Sequence, residues 1–172
     1  METDQEERLT FEDLAEFYTA SGKLQKSLVL PPVAEEFHDI HRLTMKAIEA
    51  DLERWDQSDW AYSKELLGLF LDINDEDALA KIQAEEMDYQ NFCDTTYCYA
   101  GFALLAAGYA IRYTSDAGTV AVLDGESVEL HDATKKVLGL TETQACILYE
   151  FPHGDLATFK ENMTKLTGIT FD

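Results

Sequence analysis

Between Asp94 and Arg112 the chain reads Thr95-Thr96-Tyr97-Cys98-Tyr99-Ala100-Gly101-Phe102-Ala103-Leu104-Leu105-Ala106-Ala107-Gly108-Tyr109-Ala110-Ile111, without a charged residue. The run is shorter than the roughly 20 apolar residues of a membrane span, and Thr95, Thr96, Cys98, Gly101 and Gly108 interrupt it. From Tyr97 to Leu105 it is apolar on every side of a helical wheel, the pattern of a helix buried on most of its faces. It predicts a central helix over 95–107, capped by Asp94 and ended by Gly108. The rest of the chain must pack around it.

Downstream the hydrophobic period changes. Thr119–Leu123 and Glu126–Leu130 are short β-prone runs joined by Asp124-Gly125, a strong hairpin signal. A lone hairpin is marginal, so it must lie on the helices or pair with residues 111–113. Asp132 is expected to cap a short helix ending at Gly139. Thr141 caps the next, with Gln144 completing a capping box and Pro152 closing it. Asp155 caps a last helix through Leu156, Phe159, Met163 and Leu166, stopped by Gly168.

Upstream, Thr10 opens a helix carrying Phe11, Leu14, Phe17 and Tyr18. Pro31-Pro32 begins a longer one, with Val33, Phe37, Ile40, Thr44, Ile48, Leu52 and Trp55 on one face. Ser58 or Asp59 starts another with Trp60, Leu66, Leu67 and Phe70, and Asn74-Asp75 a short one through Ile82. The expected fold is mainly α: a single helical domain over 1–172 with one small β-hairpin at about 119–130. An acidic helical half, 1–90, precedes a more apolar half, 91–172.

The 172 residues include 34 acids and 13 bases, a net charge of −21. Residues 1–100 hold 24 of the acids and 8 of the bases, so the first hundred residues carry most of the excess. That sign excludes nonspecific nucleic-acid binding, which needs clustered Lys and Arg. It also disfavours docking on anionic lipid. A hydrophobic content of 46% is that of a globular chain, not of an acidic disordered tail. The polar, acidic stretch Met1–Glu7 reads as no secretory signal, so Cys93, Cys98 and Cys146 are expected to be reduced thiols in a cytoplasmic protein.

Each chemical motif has a plainer reading. Leu138–Ala145 has the outline of a helix-turn-helix corner, yet the helix that would read bases, 143–151, has no Lys or Arg. Cys93 and Cys98 lack a second pair to complete a zinc site, and no His is placed by sequence to activate either thiol. Glu35-x-x-His38 and Glu150-x-x-His153 share a spacing with di-iron bundles, but Glu35 faces away from the apolar stripe and Pro152 breaks the second pair. His41, at the stripe's edge, reads as a hydrogen-bonded core-margin residue. Asp72-x-Asn74-x-Glu76 starts like a calcium loop, but Asp77 stands where glycine is needed and Gln83 where glutamate is. No metal and no cofactor is expected.

Met87-Asp88, Cys93-Asp94-Thr95-Thr96-Tyr97-Cys98-Tyr99-Ala100-Gly101-Phe102-Ala103, Ala133, Leu138-Gly139-Leu140-Thr141, Gln144-Ala145 and Leu148 form a series. Over about residues 87–168 it resembles a loose set of small, uncharacterised bacterial and phage proteins. In that set a Cys-x4-Cys-x-Ala-Gly segment precedes a hairpin-like insert and a Leu-Gly-Leu-[Ser/Thr] helix pair. The set usually has Trp where this chain has Phe102. The resemblance implies a phage or mobile-element context and no particular chemistry.

These features lead to an expected function as a non-enzymatic acidic protein that engages the basic surface of a host protein. The expected contacts are Asp72, Asp75, Glu76, Asp77, Glu85, Glu86 and Asp88, in the most acidic stretch of the chain. A DNA mimic that occupies a nuclease or DNA-binding protein is the nearest alternative. The rival class is a metal- or thiol-dependent enzyme using Cys93, Cys98 and the scattered histidines. Direct nucleic-acid and membrane binding are not expected.

Overall fold

Tyr99, Ala100, Ala103 and Leu104 are almost wholly removed from solvent, as an all-apolar helix demands. The computed structural model describes residues 30–66, 87–92, 94–114, 118–151 and 153–171. Five α-helices fall among them: α1 (His38–Ala50), α2 (Tyr99–Ala106), α3 (Leu130–Leu138), α4 (Glu142–Tyr149) and α5 (Leu156–Thr167). Helix α2 is the hub, packed against α1, α3 and the strand that follows it. Buried side chains from all these elements join one hydrophobic cluster that also takes in Trp55, Leu66 and Met87.

The expectation of a mainly α fold with a single hairpin is overturned. The described residues hold two antiparallel sheets, so the fold is mixed α and β. Strands β1 (Ala61–Tyr62) and β3 (Thr96–Tyr97) pair with each other. Strands β2 (Met87–Asp88), β4 (Ala110–Thr114), β5 (Gly118–Leu123) and β6 (Glu126–Val128) form a sheet in the order β2-β4-β5-β6. The expected hairpin is β5–β6, and β4 joins it through Ile111↔Ala121 and its neighbours. Asp124 at the turn takes a positive φ, the conformation a two-residue hairpin loop selects. Strands β1, β2 and β3 are two residues each, too short to print a period of two on the sequence.

Several boundaries move for local reasons. Thr96 and Tyr97, read as the first turn of the central helix, are extended, as β-branched and aromatic residues favour. Helix α2 therefore starts later, with Cys98 as its N-cap accepting from the Gly101 amide at 3.5 Å. Asp94 instead serves the helical turn at residues 64–66. Its carboxylate accepts from the Glu65 amide at 3.0 Å and from the Ser63 hydroxyl at 2.6 Å. Helix α3 begins at Leu130 with Glu129 as N-cap, so Asp132 lies in its first turn. A 3-10 turn over Glu35–Phe37 leads into α1, and the helix stops at Ala50, leaving Leu52 half exposed. Trp60 precedes strand β1 rather than riding a helix. The capping box at Thr141 and Gln144 and the Asp155 cap of α5 stand as expected. The expected helices over 10–22 and 74–82 lie outside the described residues.

Candidate functional site

The chain corner at Gly139 sets two helices at an angle that brings their polar edges together. Gly139 has φ +64, and a side chain there would overlap the Phe37 ring, so only glycine makes this corner. On α3, His131 and Lys135 are one turn apart. On α4, Glu142, Cys146 and Tyr149 recur at steps of four and three, hence on one face. The two edges meet. His131 Nε2 lies 2.7 Å from Glu142 Oε2, and His131 Nδ1 lies 2.8 Å from the Tyr149 hydroxyl. The carboxylate takes the Nε2–H as acceptor, which leaves Nδ1 to accept from the phenol. Lys135 Nζ donates to the same Glu142 oxygen at 2.9 Å, and the Cys146 thiol stands 3.7 Å from the other.

The Lys135 hydrogen bond, reinforced by His131, lowers the Glu142 carboxyl to about 2, so it is anionic at any physiological pH. Burial raises the Tyr149 phenol, which stays protonated and donates. The Trp60 indole closes one side. Its ring centre is 4.5 Å from that of Tyr149 with planes tilted by 50°, and its N–H donates to Thr134 Oγ1 at 3.3 Å. Together with Thr119, Glu129, Leu130 and Cys146, these groups line an open cleft of about 420 Å3. That is within the range of about 300–1,000 Å3 typical of small-ligand sites.

The expected acidic contacts fare differently. Asp72, Asp75, Glu76, Asp77, Glu85 and Glu86 lie outside the described residues. Asp88, on β2, is engaged by Arg112 on β4 through a forked pair, Nε to Oδ1 and Nη2 to Oδ2, across the register Asp88↔Arg112. It is a sheet-edge ion pair and not an open contact. A second acidic stretch comes forward instead. Asp124, Glu126, Glu129 and Asp132 are all exposed, no Lys or Arg stands between them, and none has a basic partner among the described residues. Glu129 reaches the cleft itself.

The other motifs resolve into structure. His41 is fully buried: its Nε2–H donates to the Leu138 carbonyl at 2.9 Å, and its Nδ1 accepts from the Tyr99 hydroxyl at 2.7 Å. His38 bonds the Val33 carbonyl at 3.0 Å, and His153 accepts from the Gln57 amide at 3.2 Å, so the two Glu-x-x-His pairs do not converge. Cys98 is buried and its thiol is pushed up to about 12 by loss of solvent. Cys93 lies outside the described residues. Among the described residues no three His, Cys, Asp or Glu side chains are placed to hold a metal ion. The helix-turn-helix outline is an internal corner: Gln144, Ala145, Ile147 and Leu148 are buried, and Gln144 Nε2 donates to the carbonyls of Pro31 and Leu166. The edge of this helix that opens on the cleft, Glu142, Cys146 and Tyr149, carries no Lys or Arg to meet a DNA groove.

Sequence reasoning missed His131, Lys135, Glu142 and Tyr149, and named Cys146 only as a thiol. The spacings 131/135 and 142/146/149 on either side of Gly139 were the available signal. Nothing local pointed to Trp60. No protein-family model, curated protein or solved structure matches this chain, so its chemistry is read from its own residues.

Proposed function

We propose that this chain is a non-enzymatic binding protein that engages a basic surface of another protein through its acidic face. The observation that carries this reading is the charge: −21 on 172 residues, against the magnitude of about 2–8 that keeps a small domain soluble. The exposed acids at Asp124, Glu126, Glu129 and Asp132, none neutralised by a base among the described residues, support it. Unpaired surface carboxylates steer a positively charged partner and favour its correct approach. Following the phage-like resemblance, the partner belongs to a host cell and the encounter takes place in its cytoplasm. Among the described residues no helix is long and apolar enough to cross a membrane.

The test is capture from host lysate by the immobilised full chain at low and at high salt, followed by association kinetics with the captured protein. The expected result is a basic protein held at 50 mM salt and released well before 1 M, where the Debye length falls to about 3 Å. Capture that is indifferent to salt would overturn the electrostatic reading. Competition by duplex DNA for the same partner would make the protein a mimic of DNA.

A further inference from the structure

We propose that the cleft between α3, α4 and Trp60 receives an arginine guanidinium from the basic surface of the partner. The inference rests on the binding function proposed above and assigns it a specific pocket. Its first support is charge. Glu129 and Glu142 both line the cleft, while its only other titratable walls are His131, Cys146 and Tyr149, of which the imidazole is already engaged on both nitrogens. Lys135 approaches Glu142 and lies outside the lining, so the carboxylate at Glu129 is left to set the sign of the entrance. Asp124, Glu126 and Asp132, exposed on the segment either side of Glu129, add negative charge. Lys135 and Lys136 lie one turn further along α3, where Lys135 is taken up by Glu142.

Shape is the second support. The Trp60 and Tyr149 rings, tilted by 50° at 4.5 Å, make an aromatic corner beside those carboxylates. A cation over an aromatic face is attracted by the ring quadrupole, and guanidinium, being planar and weakly hydrated, stacks there while its fork meets a carboxylate. An ammonium makes only the point-charge half of that interaction. An anionic ligand would meet the repulsion of the Glu129 carboxylate, and a neutral one would gain nothing from it.

Trp60 itself reports occupancy. In a Trp55→Phe background it is the one tryptophan left, since the chain has two. Titrating this protein with Nα-acetyl-arginine amide should give a saturable change in fluorescence. The lysine and citrulline amides should bind several-fold more weakly, citrulline least because it keeps the shape without the charge. Glu129→Gln should weaken the arginine amide by about three- to tenfold, the effect of losing one charge from a partly exposed pair. Glu129 makes no side-chain capping bond to α3, so this variant keeps its fold, and circular dichroism checks that. No saturable signal, or equal binding of citrulline and arginine, overturns the proposal. Arginine binding alongside salt-indifferent capture of partners would remove the proposed function and leave the pocket. Salt-sensitive capture without arginine binding would remove the pocket alone.

Discussion

His41 keeps a titratable ring where water does not reach, and burial lowers it from 6.5 to about 4. The unfolded chain therefore binds a proton at this residue between those two values and the folded chain does not. Stability contributed by neutral His41 is complete above about 6.5 and is lost as pH falls toward 4. Between pH 7 and 5 the loss is about 2 kcal/mol. The whole protein sheds negative charge over the same range, which acts in the opposite direction. The measurement that isolates the ring is the stability difference between wild type and His41→Gln by urea denaturation at both pH values. That difference should shrink by about 2 kcal/mol at the lower pH, and a constant difference would mean the ring titrates alike in both states. Cys98 makes a second residue-scale prediction. With its thiol raised to about 12, almost none is thiolate at pH 8, so alkylation should wait for unfolding while the partly exposed Cys146 reacts in the native protein. Mass spectrometry after brief iodoacetamide treatment reads this, and native-state modification of Cys98 would place it at the surface. The sequence marked His41 as a hydrogen-bonded core-margin residue, because its stripe position is a local property. Its partners, Tyr99 and Leu138, come from segments 58 and 97 residues away, and no local pattern reports them.

Helix α2 is the element on which the others depend, and two substitutions test it differently. Leu104 is fully buried, so Leu104→Ala removes contacts and leaves a cavity, at a cost of about 2–5 kcal/mol. Gly101→Ala adds a single methyl where it would overlap the Trp60 carbonyl oxygen. Backbone cannot yield as a side-chain tip can, so this variant should lose about 1–3 kcal/mol or more despite the gain in helix propensity. Thermal melts of both check the pair, and a neutral Gly101→Ala would separate α2 from the segment before β1. The fold was legible where long periodic runs or strong punctuation exist: the buried helix, the Asp124-Gly125 hairpin, the Thr141–Gln144 box and the Asp155 cap. It failed at Thr96–Tyr97, because an apolar-all-round run cannot reveal where helix begins and strand ends. It failed again at Ala61–Tyr62 and Met87–Asp88, where a strand exists only because a distant partner pairs with it.

Across the whole molecule, the acidic excess was plain from composition, whereas its arrangement was not. Asp88 looked like part of an open acidic stretch, and only strand pairing shows Arg112 across from it. Glu126, Glu129 and Asp132 looked like ordinary surface acids, and only the meeting of α3, α4 and Trp60 puts Glu129 on a cleft. The decisive comparison is therefore between charge reversals of equal size at different places. Asp124, Glu126 and Asp132 changed to Lys together alter the rim while sparing Glu129 within the pocket. Glu35, Glu36 and Asp39, exposed ahead of and at the start of α1, give the matched control. Of the rim triple only Asp132 lies in a first helical turn, Asp124 being in the hairpin turn and Glu126 on β6. All three control acids sit in first turns, and each costs about 0.3–1 kcal/mol when moved against the helix dipole, so thermal melts of both triples precede the rate comparison. Asp75, Glu76 and Asp77 form a third arm, where sequence alone puts the hotspot. With a salt-sensitive partner in hand, the rim triple should slow association about tenfold at low salt and more than the control does, because steering depends on where the charge sits. At 1 M salt, with a Debye length of about 3 Å, the three variants should converge. Equal slowing by all three would mean that net charge alone acts and that no acidic face is shaped for a partner. A loss confined to 75–77 would keep the electrostatic function and remove the rim from it. Unchanged rates in every arm would show a partner held by apolar contact, and the surplus of carboxylates would then have no part in recognition.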